Sequence, residues 1–151
     1  MPFTPVVPTN LQTNRSDIHD AILIMVAAFQ TAHPGIVRQV WHARPAGPGE
    51  FPLVYLGLTS ETVIHDSGLR QTTFTGTVVF VDTLAFAPET DERVNVFLDY
   101  MRDLFTANAR IFTPGIFEET GVTDAELPWG PSVETTGTAI HWRYVIQEGR
   151  D

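Results

Sequence analysis

From residue 70 to residue 82 the chain reads RQTTFTGTVVFVD, and this segment constrains the fold more than any other. Phe74, Val78 and Phe80 fall on one side of a two-residue period, and Thr73, Thr75 and Thr77 fall on the other. That alternation suits a strand with one buried face, because successive side chains of a strand point to opposite sides. At about 3.3 Å per residue the segment spans about 43 Å, well past the usual strand of about five or six residues. The chain must therefore build a sheet and cover its apolar face, and part of the long strand is expected to project beyond the domain body.

Two segments can supply the cover. Ile18, Ala21, Ile22, Met25, Ala28 and Phe29 recur at three- and four-residue intervals, which predicts an amphipathic helix running to His33. Ser16 reads as its cap, Asp17 and Asp20 favour its positive end, and Pro34 and Gly35 stop it. A second helix is predicted after a Thr90 cap followed by Asp91 and Glu92. Its apolar stripe is Val94, Phe97, Leu98, Met101, Leu104 and Phe105, opposite Asn95, Asp99, Arg102, Asp103 and Thr106.

Further strands are predicted at residues 36–43, 53–58 and 136–147. In the last, Ile140, Trp142, Tyr144 and Ile146 share one face, and His141, Arg143 and Val145 the other. Residues 44–52 read as a loop, and 110–132 as a long irregular one containing Pro114, Gly115, Gly121, Pro128, Gly130 and Pro131. The prolines of residues 1–14 favour an extended N-terminal arm. The expectation is one α+β domain over 15–151, ordered α-β-β-β-α-β, with two helices on a mainly antiparallel sheet.

Composition narrows the function classes. With 43% hydrophobic and 18% charged residues, 151 residues can bury a core without disulfides, and the absence of cysteine excludes both disulfides and thiolate zinc sites. The longest apolar stretch, within 21–29, is too short to span a bilayer. No basic region followed by an apolar one opens the chain, so use inside a cell is expected. Eighteen acidic residues face nine arginines and no lysine, for a net charge of −9, and the arginines stand singly along the chain. Tight binding of nucleic acid needs a basic stripe, and none is present.

Catalytic signatures are sparse. The histidines at 19, 33, 42, 65 and 141 include no pair at helical ligand spacing, and neither phosphate-cradling glycine motifs nor GxSxG occurs. Catalytic, metal and cofactor residues are therefore not assigned, and the chain is not expected to be an enzyme. Asp66-Ser67-Gly68 resembles the catalytic triplet of aspartic proteases, in which two carboxylates share a proton. Polar residues precede it here, and the reading favoured is a Ser67-Gly68 turn into the long strand. His19 and His141 are read as surface residues and Trp41 and Trp142 as packing residues. Trp129, in LPWGP, is either a loop plug or an anchor for a neighbouring subunit.

In order and spacing, the segments DIHDAILIMVAAF, FPLVYLG, TTFTGTVVFVD, DERVNVFLDYMRDLF and TGTAIHWRYVI resemble the tail terminator, or tail-completion, proteins of long-tailed bacteriophages. The resemblance covers most of the chain, the 110–132 segment being a departure. It implies helices packed on a mainly antiparallel sheet and a ring of six copies that ends tail-tube growth and joins the tail to the head connector. It also implies a place in the virion at the head-tail junction, after assembly in the host cytoplasm. Partners would be the tail-tube protein, the connector (stopper) protein and other copies of the chain, with DNA passing through unbound and no membrane contact or cofactor. Three segments lack an intramolecular use and are candidate contacts: the arm (Phe3, Val6, Val7), the overlong strand (Arg70, Thr73, Thr75) and the Trp129 loop. Glu61, Asp66 and Asp82 are candidate channel-lining carboxylates. The alternatives are another phage neck or tail-tube component, or a small α+β enzyme or ligand-binding domain.

Overall fold

A computed structural model describes residues 15–41, 51–57, 59–83, 87–107, 115–125 and 135–149. Phe3, Val6, Val7 and Trp129 lie outside the described residues.

Helix α1 spans Arg15–Ala32, so Ser16 falls inside its first turn rather than before it. Of its predicted stripe Ile18, Ala21, Ile22, Met25 and Phe29 are buried and Ala28 is half-buried, while Val26, outside the predicted stripe, is buried as well. Helix α2 spans Ala87–Ala107 and begins three residues ahead of the expected Thr90 cap. Pro88 fits a first helical turn, where no amide partner is lost. Thr90 is buried instead, its hydroxyl donating to the Thr83 carbonyl at 2.6 Å. Phe97, Met101, Leu104 and Phe105 are buried on α2, while Val94 and Leu98 are half-buried at the stripe's margins.

The strands are β1 (Gln39–Trp41), β2 (Leu53–Leu56), β3 (Ser60–Asp66), β4 (Leu69–Thr83), β5 (Ile116–Asp124) and β6 (Thr135–Gly149). They form one six-stranded sheet ordered β1-β2-β4-β6-β5, with β3 also paired to β4. The β1–β2 pair is parallel and every other pair antiparallel, so the fold is α+β with a mainly antiparallel sheet. Two strands are additions to the expected order. β3 occupies the polar segment before the long strand, and β5 lies inside the expected 110–132 loop, while β1 covers Gln39–Trp41 of the predicted 36–43, whose residues 42–43 lie outside the described residues.

Both helices cover the same sheet face. Phe74, Val78 and Phe80 of β4, Ile140, Trp142, Tyr144 and Ile146 of β6, and Phe117 of β5 pack with the two helix stripes in the main core. Phe97 stacks on Phe80 with ring centroids 5.1 Å apart and lies 5.7 Å from Phe29. Gly76 sits opposite Trp142, and a Cβ there would lie 2.5 Å from the indole, so the glycine admits the ring. Toward the other end of β4 the second face is buried too, with Leu53, Tyr55, Val79, Val81 and Ala139 forming a smaller cluster bordered by Trp41 and Phe51. The expected half-burial therefore applies to the first half of β4 and not to residues 78–82, where both faces are covered.

Candidate assembly surface

The long strand doubles back on β3 through a two-residue turn. Ser67 and Gly68 have φ of 48° and 83°, the left-handed pair required by a type I′ hairpin, whose twist matches that of the flanking strands. The favoured turn reading of Ser67-Gly68 thus agrees with the fold. The Asp66 carboxylate accepts the Ser67 hydroxyl at 3.1 Å on an exposed tip.

Strand pairing places side chains on faces. Thr73 lies between Thr62 of β3 and Val145 of β6, and Val145 in turn pairs Ile116 of β5. Gln71 lies between Ile64 and Gln147, Thr75 between Ser60 and Arg143, and Leu69 beside Asp66. By strand alternation these residues share the face opposite the helices. Three large apolar side chains stand on it in solvent: Ile64 at 52% exposure, Leu69 at 49% and Ile116 at 67%. The remainder is threonine, glutamine and a cross-strand Arg143–Glu118 ion pair. Lower on the same face, Thr123 and His141 share a hydrogen bond of 2.7 Å, and His141 is half-buried rather than a free surface side chain.

β3 itself is exposed over all seven residues. β3 and its turn therefore stand as an exposed blade along the sheet margin, although Thr72 and Phe74 of the same hairpin are buried on the helix face. Arg102 of α2 clasps Glu119 of β5 in a two-pronged pair at 2.7 and 3.1 Å, tying the base of the sheet to the helix layer. That hydrogen bonding raises the Arg102 guanidinium above its usual value.

The candidates separate. Thr73 and Thr75 belong to the open face, Thr75 exposed and Thr73 half-buried. Arg70 is opposite His65 and Glu148 on the helix side of the blade, not with the threonines, and its Nε is buried without a partner among the described residues. Glu61 and Asp66 are exposed on β3, Glu61 facing the helix side opposite Phe74. Asp82 is a correction. It is wholly buried beside the first turns of α2, accepting Arg93 Nε at 2.5 Å and the Thr83 amide at 2.7 Å. A strand end abutting an arginine-bearing helix internalises its carboxylate, so Asp82 cannot line a channel.

Trp142 is core as expected, and Trp41 is half-buried against the smaller cluster, its indole N–H buried without a partner among the described residues. The exposure of Ile64, Leu69 and Ile116 is not apparent from the sequence pattern. The signal for their strands is a β-branched TVI run followed by a Ser-Gly turn, and an FEETGVTD segment bracketed by prolines and glycines. Among the described residues no group of three histidine, aspartate or glutamate side chains could hold a metal ion, and no helix is long and apolar enough to cross a membrane. No protein-family model matches the chain, and no curated protein sequence matches it significantly.

Proposed function

We propose that this chain is a tail terminator of a long-tailed bacteriophage, a structural protein that closes into a ring of six at the end of the tail tube and presents the other face of the ring to the head connector. The observation that carries the reading is the open sheet face, on which Ile64 and Leu69 of the β3–β4 hairpin and Ile116 of β5 are exposed. Large apolar side chains exposed on one sheet face offer a surface for association. The rigid base, with both sheet faces buried around Val79 and Val81, gives the blade a fixed platform. The order of segments resembling the tail-terminator family supports the same reading. The net charge of −9, with Glu61 and Asp66 exposed on the blade, suits a ring through which DNA passes without being held.

The test combines purified protein with tail tubes assembled from their own tube protein. Closed rings are expected in negative-stain images, together with tubes of uniform length capped at one end. Ile64→Asp and Ile116→Asp are expected to keep the fold and lose capping. Tubes that keep growing in the presence of wild-type protein, or rings that bind duplex DNA tightly at moderate salt, would overturn the reading.

A further inference from the structure

We propose that the outer edge of β3 is a self-pairing surface, through which two copies of this chain join antiparallel about a two-fold axis at Val63. This goes beyond ring closure and does not depend on it, since it uses one edge of one strand.

The hydrogen-bond phase of the hairpin identifies the free groups. A two-residue I′ turn makes Asp66 and Leu69 a hydrogen-bonded pair, and every second pair after it bonds likewise: Ile64 with Gln71, Thr62 with Thr73, Ser60 with Thr75. The Gly57 amide donating to the Thr77 carbonyl at 2.9 Å continues the same phase along β4. The N–H and C=O groups of Glu61, Val63 and His65 therefore point away from β4, on a strand that is exposed throughout. Such a row is a template for another strand.

β3 is complementary to itself. Centred on Val63, two antiparallel copies of SETVIHD pair over all seven residues with no overhang: Ser60 with Asp66, Glu61 with His65, Thr62 with Ile64, Val63 with Val63. All three outward-facing residues then form hydrogen-bonded pairs of two bonds each. Each Glu61 carboxylate meets the His65 imidazole of the second copy, whose N–H can donate to it. Arg70, opposite His65 on its own sheet, adds a cation to the same row. Other registers are poorer. Centring on Glu61 sets carboxylate against carboxylate, centring on His65 sets imidazole against imidazole, and a shift of one residue leaves only two outward pairs. Pairing also covers Val63 and Ile64, which are 38% and 52% exposed. The contact is isologous, so it closes at two copies, or at two rings joined blade to blade.

The experiment is light scattering and sedimentation of the full-length protein over a dilution series, with circular dichroism on each variant. The wild type is expected to show a mass that doubles with concentration. Val63→Lys puts like charges across the axis, and His65→Glu sets carboxylates opposite each other. Each is expected to weaken pairing at least about tenfold, while Glu61→His combined with His65→Glu restores it. Val63→Pro deletes an amide that β4 does not use and should also abolish doubling. Should that variant melt early, Val63→Lys, at a partly exposed position, decides. Absence of doubling overturns the proposal, as does doubling indifferent to Val63→Lys, or a double variant as weak as His65→Glu. A six-copy ring that never doubles overturns the pairing and leaves the ring reading standing. Doubling of single copies without rings does the reverse.

Discussion

Asp82→Ala removes the group that fastens the end of β4 to α2, and its cost can be assembled from the geometry. The carboxylate is wholly buried, whereas the Arg93 side chain is 23% exposed. Arg93 Nη2 also donates to the Thr90 hydroxyl at 3.3 Å, and that hydroxyl donates to the Thr83 carbonyl at 2.6 Å, so the four residues form one polar clasp. Stranding one partner of a fully buried ion pair costs about 3–5 kcal/mol. Arg93 can regain part of its hydration, which lowers its share to about 2 kcal/mol. The Thr83 amide loses its acceptor, adding about 1 kcal/mol. The sum, about 3 kcal/mol, corresponds to a fall in Tm of about 6–12 °C for a chain of this size. Asp82→Asn keeps an acceptor for the amide and should cost about 1–2 kcal/mol. Urea and thermal unfolding at one fixed protein concentration measure both, because association shifts apparent stability. A double-mutant cycle with Arg93→Ala is expected to return a coupling of at least about 1 kcal/mol. A loss below about 1 kcal/mol for Asp82→Ala, or additive effects in the cycle, would refute the clasp.

Three further outcomes follow from packing and ionisation. Phe97→Ala empties the space between Phe29 and Phe80 and should cost about 3–5 kcal/mol, against about 1 kcal/mol for Leu98→Ala at the half-buried margin; urea unfolding ranks the two. Gly76→Ala drives a methyl into the Trp142 ring, with an expected loss of about 1–3 kcal/mol and an altered near-ultraviolet dichroism of the indole. Burial raises the Tyr144 hydroxyl above the usual tyrosine value, opposed in part by the Gly115 backbone. Below the unfolded pKa both states keep the proton and stability is complete; above it the unfolded chain ionises first, so stability falls as pH climbs through the folded value. Urea unfolding from about pH 9 to about pH 11 should show that decline in the wild type, and the decline should shrink in Tyr144→Phe.

The elements legible in the sequence are those whose side chains divide between a wet and a dry side. The stripes of α1 and α2 and the alternation around Phe74 and Trp142 exist because a core selects them. β3 has no such selection, since it is exposed on both faces, and its polar residues show no alternation that would mark a strand. Its one sharp signal was Ser67-Gly68, read as a turn into β4 without its other arm. β5 is hidden for a different reason. The register shift between Glu119 and Gly121 breaks the two-residue period in mid-strand, so Phe117 and Val122 never read as one face. Asp82 shows a limit of local pattern, because a carboxylate at a strand end looks the same whether it meets water or an arginine on the next helix. Thr90-Asp91-Glu92 has the chemistry of a cap, but Pro88 fits the start of the helix earlier, and the threonine serves the clasp instead.

The two ends of β4 differ in what holds them, and that difference can be read amide by amide. Around Val79 and Val81 the strand is buried on both faces and anchored by the clasp, so its amides open only with most of the fold. At the blade no described helix covers β3, which is exposed throughout, so protection there follows hydrogen-bond phase. In the free, dilute protein the amides of Thr62 and Ile64, bonded to β4, should exchange slowly, while those of Glu61, Val63 and His65 should exchange at nearly unprotected rates. Hydrogen exchange followed by NMR resolves the alternation. Raising the concentration, if β3 pairs with a second copy, should slow the three fast amides together and leave Thr62 and Ile64 little changed, because only the outward groups gain partners. A reversed alternation would mean the hairpin register is wrong, and with it the assignment of the free edge. Uniformly fast exchange through β3 would mean that the blade is not held as a strand outside an assembly, which would remove the preformed edge on which self-pairing rests.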